Sequence, residues 1–160
     1  KGGAFPQTIK DEVNDWVDRV LADMKAHKDD FPYWVQKGWM SQNTADYYIK
    51  YGGFKVKKSY AYAAVQAEVK ALTPLQYGDL SDILEGATRG KIRCGIGHGG
   101  GSYWTTPTYK GIDWGLGTEA FAEMTSATMT SPESLATIKK YLPKSYAMYE
   151  DMLKVIANQP

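Results

Sequence analysis

Cysteine is nearly absent from this chain. Cys94 is the only one among 160 residues, which excludes a disulfide framework and a thiolate metal cluster and makes a reducing compartment the default expectation. Histidine is almost as scarce, with only His27 and His98. A catalytic zinc takes three protein ligands, commonly including two histidines one helical turn apart, so the lack of an H-E-x-x-H run means that these residues alone cannot assemble a standard zinc peptidase site. A surplus of one charge is also missing. With 19 basic and 18 acidic residues the net charge is +1, and that balance gives no electrostatic reason to expect a nucleic-acid or anionic-membrane partner. No apolar run approaches the roughly 20 residues that a bilayer-spanning helix requires.

What is present suits a single globular domain, 43% hydrophobic and 23% charged, of a size that buries a core without staples. The chain opens on Lys1-Gly2-Gly3 without an initiator Met, and we read it as a fragment, a processed product or a trimmed piece of a longer protein. Aromatics are plentiful, with 12 Tyr and 5 Trp. Tyrosine rings pack while their hydroxyls stay wet, so these residues either finish a modest core at its rim or line a cleft or interface.

The pattern along the chain is mainly α. A first helix is expected over 7–28, started by Thr8 with Asp11 in capping-box spacing. Val13, Trp16, Val17, Val20, Leu21 and Met24 make its apolar stripe. Phe31-Pro32-Tyr33-Trp34 reads as an aromatic turn, followed by a short helix near 42–50 capped by Ser41 or Asn43. Residues 56–72 read as a helix stopping before Pro74, and 75–86 as another ended by Gly86. The glycine- and aromatic-rich stretch 90–117 reads as one long ordered loop or irregular hairpin, the kind of segment that tends to carry function. Helices resume over 117–130, after Ser131-Pro132, and from Pro143, where Tyr146, Tyr149, Leu153 and Ile156 form the apolar stripe. The expected organisation is one helical domain over 1–160, a helical region 1–73 followed by 74–160.

Few residues carry chemistry. Gly95-Ile96-Gly97-His98-Gly99-Gly100 formally matches G-x-G-x-x-G, but Ser102-Tyr103-Trp104-Thr105-Thr106-Pro107 follows where a nucleotide site needs a helix, so the nucleotide reading is rejected. His98 has glycines around it that allow a close approach to a ligand; the plainer reading is a histidine bonded to a neighbouring carbonyl in a turn. His27, near the end of the first helix, is expected to meet free carbonyls and has no assigned role. Cys94 and His98 lie four apart in a glycine loop, a spacing that defines no catalytic geometry. Glu119 and Glu123 share one helix face, which is either a wet surface or a place where a carboxylate binds a cation or accepts hydrogen bonds.

Four runs taken together carry a resemblance: Asp79-Leu80-Ser81-Asp82-Ile83-Leu84-Glu85-Gly86-Ala87-Thr88, Gly97-His98-Gly99 with Tyr103-Trp104, Glu119-Ala120-Phe121-Ala122-Glu123-Met124, and Ile138-Lys139-Lys140-Tyr141-Leu142-Pro143-Lys144-Ser145-Tyr146. In this order they resemble the C-terminal region of phage head-morphogenesis (minor capsid) proteins, over roughly residues 75–155. That region is similar in turn to the second half of gluzincin metallopeptidases of the lethal-factor type. The resemblance implies a zincin-like helical fold in which Glu119 is a metal ligand and Glu123 orients a ligand histidine. It further implies that Tyr109 or Tyr103 steadies the oxyanion and that His98 faces the same cleft. The family's H-E-x-x-H helix is not in this sequence. Zinc is therefore expected only if that segment is supplied from elsewhere, and the chain by itself is expected to be catalytically silent.

The function so implied is a phage head- or virion-associated segment, found in the virion or the host cytoplasm. Its expected partners are capsid or portal proteins or the missing N-terminal segment, with a peptide as a possible substrate and neither nucleic acid nor membrane. Two other readings stay open. One is an interaction module whose aromatic loop and helix faces dock a partner subunit. The other is an effector or toxin domain with chemistry centred on His98 and Glu119.

Overall fold

The computed structural model describes residues 3–95 and 112–160. Within them the chain is mainly helical, with eight helices and no strand: α1 (Ala4–Ala26), α2 (Phe31–Gln36), α3 (Gln42–Tyr51), α4 (Lys58–Lys70), α5 (Pro74–Thr88), α6 (Trp114–Thr130), α7 (Pro132–Tyr141) and α8 (Pro143–Ala157). No helix among the described residues is long and apolar enough to cross a membrane. His98, Tyr103 and Tyr109, together with the Gly95–Gly100 motif and Trp104 that surround them, lie outside the described residues, save Gly95 itself.

Local chemistry accounts for most helix boundaries. Ser41 caps α3 by accepting from the Thr44 N–H at 3.1 Å. Before α5, the Gln76 N–H donates to Thr73 Oγ1 and the Thr73 N–H donates to Gln76 Oε1, a full capping box with Pro74 in the first turn. Ser131 caps α7 and Pro132 opens it. Other boundaries move. α1 begins at Ala4 rather than residue 7, because Pro6 fits a first turn and Thr8, instead of capping, donates back to the Ala4 carbonyl at 2.8 Å. Phe31-Pro32-Tyr33-Trp34 is helix rather than turn, since Asp30 accepts from the Tyr33 N–H. Gly86 does not end α5. It is buried inside the helix, which runs on to Thr88 and closes on Arg89 in the left-handed conformation (φ 51°).

α5 is the central element. It packs most extensively on α6 and α7, and also meets α1 and α4, while α8 lies along α1. Leu80, Ile83 and Leu84 of α5, Leu116, Ala120 and Met124 of α6, and Ile9, Val13 and Val17 of α1 make the centre of the core. Each of these side chains apart from Ala120 contributes about 1.5–3 kcal/mol by leaving water. Val20 and Leu21 of the expected α1 stripe are only partly buried. In α8, Tyr146 and Tyr149 are buried, but Ile156 stays exposed and does not belong to the core.

Two polar ties fix the frame. Leu142 offers no side-chain cap to α8. Glu12 of α1 takes that role, accepting from the Lys144 N–H (2.8 Å), the Ser145 N–H (2.9 Å) and the Ser145 hydroxyl (2.8 Å). At the start of α6, Asp113 accepts from the Leu116 N–H and pairs with Lys10 at 2.8 Å and Arg89 at 3.3 Å. Burial works to raise the Asp113 pKa. The hydrogen bonds from Lys10 and Leu116 and the charges of Lys10 and Arg89 outweigh it, so the group ends below the ordinary carboxylate range. α2 and α3 form a smaller aromatic annex around Trp34, whose indole N–H donates to the His27 carbonyl at 2.8 Å and whose ring meets Trp39 and Phe54 edge-on.

Candidate functional site

The packing of α5 on α6 brings the sequence's most informative carboxylates together. On α6 the buried stripe is Leu116, Ala120, Met124 and Ala127. Glu119 and Glu123 each precede a member of it, so helical geometry puts both at the edge of the core, half-buried. On α5 the buried stripe includes Leu80 and Ile83, and Asp79 and Asp82 hold the same edge position one turn apart. One carboxylate oxygen from each of Asp82, Glu119 and Glu123 lies within 4.8 Å of the others. Asp79 adjoins this group and is held from the other side by Ser134 at the start of α7, whose hydroxyl donates to Asp79 Oδ2.

So many carboxylates at half burial cannot all be ionised without cost, and Glu123 is the one pushed toward its neutral form. Burial pushes its pKa up first, and hydrogen bonding with Asp79 and the charges of Asp79 and Asp82 push it further, to about 9. At neutral pH, Glu123 is therefore a proton donor to its neighbours, and the pair Glu119/Glu123 is not a wet helix face. Asp79 and Asp82 were given no individual role from sequence. The available signal was their i, i+3 spacing on one edge of α5, the edge that faces Glu119 and Glu123.

The remaining titratable candidates lie elsewhere. His27 stacks on Tyr33 (centroids 3.8 Å apart) and its Nδ1 sits 2.9 Å from the Asp23 carbonyl oxygen, the carbonyl contact expected for it. Cys94 is 2% exposed. Burial raises its thiol pKa, with a hydrogen bond to Ser81 and the charge of Lys70 opposing, so it is no reactive thiolate.

The donor set decides what this cluster can hold. Asp82, Glu119 and Glu123 offer only carboxylate oxygens, whereas structural and catalytic zinc sites draw on histidine or cysteine. Neither His27 nor Cys94 belongs to the cluster. Among the described residues the group thus does not fit a zinc ion by itself, and no reaction step can be derived through one. An all-oxygen set suits a shared proton, which Glu123 carries, or a hard divalent cation that would displace it. Comparison of the chain with protein-family models, with curated proteins and with solved structures finds no match in any of the three.

Proposed function

We propose that the chain is a head- or virion-associated segment of the phage minor-capsid type, and that its α5–α6 carboxylate cluster is the half of a metallopeptidase-like site that these residues supply. One observation beyond the sequence resemblance supports the reading: Glu119 stands in a half-buried group with Asp82 and Glu123 instead of on an open helix face. Glu119 is then the protein's contribution to the metal, and Glu123 is the neighbouring carboxyl that would position a histidine brought in by an H-E-x-x-H segment. That segment belongs to another part of the parent polypeptide or to a partner chain, and zinc binds only in its presence.

A second reading rests on the Glu123 proton. A carboxyl held protonated to about pH 9 by burial first and by Asp79 and Asp82 beside it also serves as a clasp between α5 and α6, in a module whose role is to dock capsid or portal subunits.

Zinc content of the purified parent product, with and without Glu119→Gln, separates the two. About one zinc per chain in the parent, lost on substitution while the melting temperature of the metal-free protein is unchanged, is the expected result. Zinc retained by the variant, or none in the parent, would sink the metallopeptidase half and leave the clasp.

A further inference from the structure

The balanced net charge conceals a local imbalance. Residues 31–67 hold five lysines (Lys37, Lys50, Lys55, Lys57 and Lys58) against the single acid Asp46, a local charge of +4 in a chain whose total is +1. The same stretch holds 10 of the chain's aromatic residues. Part of them build the annex core around Trp34, but α3 leaves two rings outside. Tyr47 is 56% and Tyr51 65% exposed, one turn apart, with ring centroids 4.9 Å from each other. Only Ala45 of α3 is buried, and the helix packs chiefly on α2, so its outer face has no helix against it among the described residues.

A cation stands beside Tyr51, and two more stand beside the half-buried Tyr60 and Tyr62 at the start of α4. The Lys50 ammonium lies 5.3 Å from the Tyr51 centroid, Lys57 lies 6.0 Å from Tyr60 and Lys58 5.9 Å from Tyr62. Lys50, Lys55, Lys57 and Lys58 are all exposed and follow one path from the end of α3 to the start of α4. Between them Gly52 (φ 71°) and Gly53 (φ 82°) turn the chain in a conformation that L side chains rarely adopt, with open space where a Cβ would project. Asp18 meets Lys58 at 3.8 Å, an exposed pair too weakly coupled to cancel the patch.

We propose that this face binds single-stranded nucleic acid without sequence preference, bases stacking on Tyr47 and Tyr51 and phosphates meeting Lys50, Lys55, Lys57 and Lys58. Lysines are compact point charges suited to phosphate, and exposed ring faces beside them are the combination by which single strands are held. A single strand meets the lysines with its phosphates and the exposed ring faces with its bases at once, which makes nucleic acid a better occupant than an acidic protein segment. This binding is independent of the α5–α6 carboxylates.

The test is fluorescence anisotropy of a labelled oligothymidylate about 15 nucleotides long. The full chain is expected to bind with a dissociation constant on the order of 10 μM at about 50 mM salt, with log K falling against log salt at a slope of about −3 for four phosphate contacts. Tyr47→Ala with Tyr51→Ala should weaken binding about tenfold or more at unchanged salt slope. Lys50→Glu with Lys57→Glu should flatten the slope by about 1.4. All four residues are exposed, so circular dichroism should report the same fold in every variant. Absence of binding at low salt, binding untouched by the tyrosine pair, or equal competition by polyglutamate would each overturn the assignment.

Discussion

Glu123 gives the most direct handle on the α5–α6 cluster. Its carboxyl holds a proton to about pH 9 in the fold, against an ordinary value of 4.5. Across that window the folded state binds more protons than the unfolded chain. The associated stability is fully present below pH 4.5 and is lost progressively as pH rises toward the folded value. A fully desolvated group would lose about 1.4 kcal/mol per pH unit. Glu123 is half-buried, and solvent screening reduces the expected loss over the whole window to about 2 kcal/mol. In a chain of this length that corresponds to about 4–8 °C in melting temperature. Glu123→Gln keeps the shape and a donor for Asp79 and Asp82 but cannot ionise. Thermal unfolding followed by circular dichroism should therefore give equal melting temperatures for the two proteins near about pH 5 and a variant more stable by about 4–8 °C near about pH 9. Parallel pH profiles for wild type and variant would refute a proton held on Glu123, and with it the picture of the cluster as a proton-sharing group.

Two further outcomes follow from the polar ties of the frame. Glu12→Ala removes the acceptor of three hydrogen bonds at the buried start of α8, and should cost about 2–4 kcal/mol in denaturant unfolding; a loss below about 1 kcal/mol would show that water replaces the carboxylate. Asp113, with its pKa below the usual value of 3.8, adds stability that is present above that pH and lost as pH falls through its folded value. Asp113→Asn should accordingly lower the melting temperature by a few degrees near neutral pH and by progressively less in acid, read as a difference between two melting curves.

Much of the fold was legible because its boundary signals are local. Ser41 and Ser131 accept from backbone N–H groups within a turn of themselves, and Pro74, Pro132 and Pro143 fit the first turn of the helices they open, so the sequence around each suffices to find it. The misplaced boundaries are those decided by competition. Thr8 carries a hydroxyl able to cap by accepting from a backbone N–H, but it donates to the Ala4 carbonyl of its own helix instead, and Gly86 carries no mark in the sequence that says its neighbours bury it. The site divides in the same way. Helical spacing put Glu119 and Glu123 on one face, but their partners Asp79 and Asp82 come from a helix about 40 positions earlier, and no local pattern reveals which edges of two helices meet. The long-range Glu12 cap on α8 was invisible for the same reason.

That cap has a bearing on the order of events when the chain is made. Glu12 and Ser145 are 133 positions apart, so at about 5–20 residues per second the ribosome delivers the donor for Glu12 many seconds after Glu12 itself. During that interval α1 has its apolar side without α8 beside it, and Glu12 waits for its donors. Closure of α1 against α8 is thus a late step relative to the making of α1, since it waits on synthesis of the 133 positions that separate the two partners. A partner or chaperone present during synthesis would find α1 accessible in a way that the finished fold does not permit.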